Sequence, residues 1–111
     1  MLGEFEYLII TAAASLGENA YSAAIRDEIV RATGRKCSLG ALYTTVDRLE
    51  AKGLVKTAMG EATPQRGGRA KRMILVTAEG AGAAEQFYHA VTRLTRNVAW
   101  APRGLRVALC R

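Results

Sequence analysis

The chain has 111 residues, half of them hydrophobic, with a net charge of +6. This length favours a single domain with a small core. No apolar run is long enough to span a bilayer and no basic leader is visible, so we expect a cytoplasmic protein. The two cysteines fit a reduced compartment better than a disulfide scaffold.

The charge is unevenly distributed along the chain. Residues 1–34 hold five acids and two bases, residues 35–77 hold nine bases and three acids, and residues 78–111 hold five bases and two acids. The positive charge is therefore concentrated in the middle of the sequence. This distribution is typical of a protein that binds nucleic acid.

Two amphipathic helices are predicted in the first third of the chain. Apolar residues recur at helical spacing from Phe5 to Leu16, and Gly17 ends that pattern. A second periodic segment begins at Tyr21 and is stopped by Gly34. Core packing explains both apolar faces.

A short polar turn connects to a third helix. Arg35 and Lys36 lie in this turn, where contact with DNA phosphates and simple solvation are equal alternatives. Cys37 comes next to a helix N-terminus, which can lower the pKa of a thiol, so either a redox switch or a small hydrophobic residue fits. Ser38 is the predicted N-cap and Gly53 the predicted left-handed C-cap.

The third helix has two contrasting faces. Its apolar face runs from Leu39 to Leu49, whereas the opposite face is small and hydroxyl-rich before it turns basic. Small residues allow close approach to DNA, Thr and Ser can meet base edges, and bases can contact phosphates. The candidate DNA-binding residues of this helix are Ser38, Ala41, Tyr43, Thr44, Thr45, Arg48 and Lys52, with Ala41, Thr44 and Thr45 as candidates for base-edge contact.

A hairpin with a basic tip follows this helix. Residues 54–59 and 71–77 read as strands, and residues 60–70 form a polar loop between them. Arg66 and Arg69 at the tip suit a narrow minor groove, while Lys71 and Arg72 suit phosphates; a basic loop without function is the alternative. A helix followed by such a hairpin is the layout of a winged helix-turn-helix.

A last helix is predicted after the N-cap Thr77, with a long apolar stripe from Ala83 to Val98. The earlier helices and the hairpin already form a closed unit, so the stripe favours packing against a second copy. The pattern fades near Trp100, the chain's one tryptophan, and residues 104–111 show no clear period.

Four motifs in order resemble the PadR-like transcriptional regulators, and the resemblance covers roughly residues 5–98. The motifs are Gly40-Ala41-Leu42-Tyr43, Leu49-Glu50-Ala51-Lys52-Gly53-Leu54-Val55, Gly68-Arg69-Ala70-Lys71-Arg72 and Thr77-Ala78-Glu79-Gly80. The chain departs from the family at Met73 and Ile74, where PadR-like wings usually carry aromatic residues.

The resemblance implies a twofold dimer in which part of the first helix lies under the partner's last helix. The expected dimer-interface residues are Phe5, Ile9, Phe87, Val91, Leu94 and Val98. Small aromatic or hydrophobic effectors act at this interface in the family, and the residues expected to line such a pocket are Phe5, Ile9, Phe87, Val91 and Trp100. Packing within the core is the alternative for all of them. The motif tyrosine Tyr43 would reach a phosphate or pack in the core.

Together these observations predict a mainly α fold with a small β-hairpin. Residues 1–77 would form a winged helix-turn-helix DNA-binding domain of three helices and a two-stranded wing, and residues 78–111 a C-terminal dimerisation helix and tail. The predicted function is a sequence-specific DNA-binding transcriptional regulator, a dimeric repressor that binds a near-palindromic double-stranded operator. The alternatives are a winged-helix protein-interaction module and a non-specific DNA-binding protein.

No catalytic or metal-binding pattern accompanies these features. The single histidine, His89, does not have metal-site spacing with Cys37 and Cys110. No phosphate-binding glycine signature precedes a helix, and no serine has a histidine or paired acid in sight. We therefore expect neither an enzyme nor a cofactor.

Overall fold

The computed structural model of the chain describes residues 1–60 and 71–101. Three helices come first: α1 (Glu4–Leu16), α2 (Ser22–Thr33) and α3 (Leu39–Ala51). A two-stranded antiparallel sheet follows, formed by β1 (Val55–Met59) and β2 (Arg72–Val76), and the long helix α4 (Ala78–Thr95) comes last. This order of elements confirms the predicted fold class.

The core lies where the first three helices meet the base of the sheet. Its fully buried side chains include Ile9 and Ile10 from α1, Ile25 from α2, Leu42 and Leu49 from α3, and Ile74 from β2. Burying each such side chain contributes about 1.5–3 kcal/mol before conformational entropy is counted. The apolar periodicity of the three helices thus predicted the core-facing sides.

The sheet is anchored to the helices at both ends. Val55 pairs with Val76 at its base, and Met59 pairs with Arg72 at the other end. Near that other end, Tyr21 forms an isolated bridge with Met73, and the Ile74 N–H donates to the Ala20 carbonyl oxygen at 2.9 Å. The segment before α2 therefore pairs with β2 through one isolated bridge and fixes the sheet to the start of α2.

The first turn of α4 is fixed to the link between α3 and β1. The Thr77 hydroxyl accepts a hydrogen bond from the Gly80 N–H at 3.0 Å, as the predicted N-cap requires, and donates to the Gly53 carbonyl oxygen at 2.8 Å. Gly80 is buried so tightly that a Cβ there would overlap the Leu54 carbonyl oxygen. The glycine of the Thr77–Gly80 motif is thus explained by close backbone packing.

The second half of α4 departs from its predicted length. The apolar stripe predicted a helix that includes Val98, but the helix ends at Thr95 and residues 96–100 form turns. Thr95 and Asn97 are weak helix formers, and no later element packs on this end within the described residues. The first half of α4 packs on α1, where Phe87 stacks on Tyr7 with ring centroids 4.6 Å apart.

Candidate nucleic-acid interface

Residues at each end of helix α3 cap it. Ser38 accepts a hydrogen bond from the Ala41 N–H at 3.1 Å, which confirms the predicted N-cap. At the other end, Gly53 takes a positive φ of 77° and its N–H donates to Glu50, while the Leu54 N–H donates to Leu49. These two bonds form a Schellman motif, which lets the chain turn directly into the wing.

The exposed face of α3 carries most of the predicted contact residues. Ala41, Thr44 and Arg48 are exposed and lie three and four residues apart, so they share one face. The Thr44 hydroxyl donates to the Gly40 carbonyl oxygen at 3.0 Å, and the side chain as a whole is exposed. This face can approach a base edge closely.

Thr45 does not lie on that face. Its side chain is buried, and its hydroxyl donates to the Ala41 carbonyl oxygen at 3.0 Å. A threonine whose side chain is buried in the protomer cannot reach a base edge in this conformation. Thr45 is therefore a packing residue, and we leave it out of the proposed contacts.

Three of the predicted phosphate contacts are already paired with acids from other elements. Arg35 lies 2.7 Å from Glu4, with its guanidinium 4.7 Å from the centre of the Phe5 ring. Lys52 lies 2.9 Å from Glu6. The pairing does not remove these bases from the surface, but DNA phosphates must compete with carboxylates for them.

The third paired base is at the start of the wing. Arg72 lies 2.7 Å from Asp47 of α3, and its guanidinium lies 5.4 Å from the centre of the Tyr43 ring. Lys71 lies over the ring of Tyr21 at 4.5 Å. The tyrosine of the Gly40–Tyr43 motif is thus half-exposed and supports a base of the wing.

The remaining predicted bases differ in their surroundings. Lys36 and Arg48 are exposed and form no ion pair within the described residues. Arg66 and Arg69 lie in the segment 61–70, outside the described residues. Of the predicted contact bases in the described part, Lys36, Arg48 and Lys71 are therefore the ones with no carboxylate to compete with phosphates.

Glu6 is a site residue that sequence reasoning missed. Its carboxylate accepts the Gly3 N–H at 2.9 Å and the Lys52 ammonium at 2.9 Å. These two hydrogen bonds, the backbone one first, lower the pKa of Glu6 from its usual value of 4.5. Glu6 and Lys52 are 46 residues apart in the sequence, so no local pattern could have revealed this pair.

Cys37 has a raised rather than a lowered pKa. Burial is the main cause, and the nearby charges of Arg26 and Arg35 only partly offset it. A thiol with a raised pKa is a poor thiolate, so this environment does not favour the redox alternative. Cys110 lies outside the described residues.

The residues expected at a dimer interface fall into two groups. Ile9 is fully buried in the core of its own protomer, and Phe5 and Phe87 are half-buried, with Phe87 stacked on Tyr7. In contrast, Val91 is exposed, and Leu94 and Trp100 are 82% and 81% exposed. Val98, in the turns after α4, is half-buried.

The five residues expected to line an effector pocket do not form one within the protomer. Ile9 is enclosed in the core while Trp100 is almost fully exposed, so the two cannot share the wall of one cavity here. Ile9 is therefore a core residue. The exposed Val91 and Trp100, with the half-buried Phe5 and Phe87, stay available to an interface.

Metal sites and membrane spans have recognisable patterns, and neither pattern occurs in the part of the chain that the structure describes. Across residues 1–60 and 71–101, no group of three or more His, Cys, Asp or Glu side chains is arranged to hold a metal ion. Among the same residues, no helix combines the length and apolar character needed to cross a membrane.

The fold is shared with solved structures of regulators. RosR of H. salinarum is 26% identical, with 97% of this chain and 86% of RosR covered and a TM-score of 0.65. A PadR-like transcription factor from Bacteroides fragilis is 21% identical, with 81% and 82% covered and a TM-score of 0.64. BpsR of Bordetella bronchiseptica, whose DNA binding is regulated by 6-hydroxynicotinic acid, is 16% identical, with 98% and 70% covered and a TM-score of 0.61.

The sequence itself gives the family. No curated protein matches the chain. The model of the transcriptional regulator PadR-like family, however, matches residues 13–86, which include α2, α3, both strands and the first half of α4. The chain therefore belongs to the PadR-like family, whose members are DNA-binding transcriptional regulators with a winged-helix fold and not enzymes.

Proposed function

We propose that the chain is a dimeric repressor that binds a near-palindromic operator. The observation that carries the proposal is the exposed face of α3, where Ala41 and Thr44 lie beside Arg48 and next to the wing. Small and hydroxyl side chains read base edges, and the adjacent bases neutralise phosphates. Residues 1–77 would serve DNA binding and residues 78–111 dimerisation.

The phosphate contacts would come from bases on both sides of this face. Lys36 precedes α3, Arg48 lies on it and Lys52 follows its last residue, while Lys71 precedes β2 and Arg72 opens it. Ser38 at the N-cap and Arg35 in the turn extend the contact, as do Arg66 and Arg69 from the wing. Because many bases contribute, affinity for any DNA should fall steeply as salt rises.

The second half of α4 supports the dimer. Tyr88, Val91, Leu94 and Trp100 are exposed large hydrophobic residues, and the first three of them recur every three residues on α4. Water contact with such a stripe is unfavourable, and a twofold partner that offers the same stripe removes it. Helix α3 is the proposed reading helix. In such a dimer, two reading helices about 34–36 Å apart, or a multiple of that, would meet successive major grooves.

A planar aromatic effector would bind at this interface and release the DNA. Trp100 offers a flat surface for stacking, and Phe5, Phe87 and Val91 would complete the wall in the dimer. BpsR, which shares the fold, is a protein whose DNA binding an aromatic acid regulates. We expect such a ligand to quench Trp100 fluorescence and to weaken DNA binding, with free N-acetyltryptophanamide as the control for non-specific quenching.

The test of the proposal is fluorescence anisotropy on DNA upstream of the chain's own gene and on a scrambled sequence, at several salt concentrations. Tighter binding to the upstream DNA, with an affinity that falls with salt, is the expected result. Equal binding to both sequences would favour a non-specific DNA-binding protein. No binding even at low salt would refute the proposal that the protein binds DNA and would favour a protein-interaction module.

A further inference from the structure

The ion pair between Asp47 and Arg72 joins the two elements that would read DNA. Asp47 lies on α3 and Arg72 is the first residue of β2, so the contact bridges the reading helix and the wing. Asp47 is 67% exposed at its side chain, whereas Arg72 is only 23% exposed. The arginine is thus the fixed member of the pair, and the carboxylate meets it from the solvent side.

Three further contacts immobilise Arg72. Its guanidinium lies over the Tyr43 ring, and its carbonyl oxygen accepts the Ser22 hydroxyl at 3.3 Å. Its backbone pairs with Met59 across the sheet. An arginine with a stacked guanidinium and a bonded backbone has lost most of its rotamer freedom already, so the ion pair adds direction at low entropic cost.

The position of the pair along the sheet gives it leverage. The middle of the sheet is held to α3 by Glu50, whose carboxylate accepts the N–H and the hydroxyl of Thr57 at 3.2 and 3.0 Å. The Met59–Arg72 rung lies four residues beyond the Val55–Val76 rung, roughly 13 Å away at about 3.3 Å per residue. Among the described residues, Asp47 makes the one ion pair between α3 and that distal end.

We infer that Asp47 is a positioning residue for DNA recognition: by holding Arg72 over Tyr43 it sets the angle between the wing and the reading helix. This inference rests on the proposed function. Asp47 is itself an acid beside the DNA surface and repels phosphates. Asp47 would therefore lower the affinity for all DNA but fix the position of the wing, and a fixed wing improves discrimination between sequences.

The test compares full-length wild type with Asp47→Asn on operator and scrambled DNA. The dissociation constant for scrambled DNA divided by that for operator DNA measures discrimination. This ratio should fall by roughly threefold to thirtyfold, since a dimer loses two partly exposed ion pairs. Binding to scrambled DNA should stay equal or tighten. Asp47→Glu should recover much of the ratio, and Asp47→Asn should change nothing further in an Arg72→Gln background.

Glu28→Gln is the matched control. It removes the acid of another exposed ion pair, with Arg31 on α2, and changes the net charge equally, but Glu28 does not contact the wing. The ratio of its dissociation constants for scrambled and operator DNA should match that of the wild type. If Asp47→Asn instead strengthens binding to both DNAs by the same factor, Asp47 is only a repelling charge and the inference is wrong.

A measurement without DNA separates this inference from the proposed function. In Asp47→Asn, amide hydrogen exchange should speed up severalfold at the Met59–Arg72 end of the sheet and stay unchanged at the Val55–Val76 end. Unchanged exchange at both ends would overturn the inference. If the wild type shows no preference for any operator, the proposed function fails, and with it a role in discrimination, while the exchange still reports whether Asp47 holds the wing.

Discussion

The pair between Glu6 and Lys52 gives a prediction about stability and pH. Glu6 has a side chain only 10% exposed, and its two oxygens are occupied by the Gly3 N–H and the Lys52 ammonium. Replacing it with glutamine keeps the shape and removes the charge. The change should therefore weaken the attachment of α1 to the end of the reading helix.

The magnitude follows from the two hydrogen bonds. A hydrogen bond to a charged group contributes about 1.5–3 kcal/mol, and Lys52 is 49% exposed, so solvent screens its part. We expect Glu6→Gln to lower the free energy of unfolding by about 1–2 kcal/mol at pH 7. For a chain of this size that is a fall in Tm of roughly 4–10 °C.

The dependence on pH has a definite sign. The folded protein lowers the pKa of Glu6, so its stabilising contribution is complete above the unfolded value near 4.5 and is lost as the pH falls through the lower folded value. The Tm gap between wild type and Glu6→Gln should therefore narrow progressively as the pH falls below about 4.5.

The assay is thermal unfolding followed by circular dichroism from pH 7 to pH 3, at one protein concentration, because the Tm of the proposed dimer would depend on concentration. Glu28→Gln removes the carboxylate of an i,i+3 ion pair with Arg31 on the surface of α2 and should lower the Tm much less than Glu6→Gln. A Glu6→Gln protein as stable as the wild type at pH 7, or a Tm gap that does not narrow as the pH falls below about 4.5, would refute the reasoning.

Four other substitutions test three separate features. Gly80→Ala should lower the free energy of unfolding by about 3 kcal/mol or more through overlap with the Leu54 carbonyl, whereas Gly82→Ala, with open space around it, should stabilise α4 by about 0.5–1 kcal/mol; chemical denaturation measures both. Tyr43→Phe should leave DNA affinity unchanged if the ring only supports Arg72, and a loss of severalfold in anisotropy would show that the hydroxyl reaches a phosphate. Leu94→Glu should shift the protein from dimer to monomer in sedimentation velocity without lowering its helix content, and a dimer that persists would contradict the role of α4.

The elements were predictable because local chemistry determines them. Ser38 and Thr77 cap the helices that they were expected to cap, and Gly53 turns the chain where a positive φ was expected. Each signal involves residues within about one helical turn. The strand bounds differ from prediction by one residue at the start of β1 and at both ends of β2, because strand ends depend on cross-strand partners.

Thr45 and Ile9 show where the sequence becomes ambiguous. Thr45 lies only about 40° around the helix from Ala41, so its burial depends on how closely neighbouring elements pack. Ile9 lies in the middle of an apolar face, and periodicity cannot tell which apolar residues face the protomer core and which face a partner. Asp47 and Glu6 pair with bases 25 and 46 residues away, and such contacts exist only once the chain is folded.

The attachment of α4 at Gly80 makes that helix a lever. Its 18 residues span about 27 Å, and its first turn is fixed to the joint between the reading helix and the wing. A tilt of about 10° at that turn would displace the far end by about 5 Å, which is more than the rise of one base pair, about 3.4 Å. In the proposed dimer, a small change at this joint would therefore shift the two reading helices away from the spacing of the major grooves. A ligand that tilts α4 could release the DNA without contacting it.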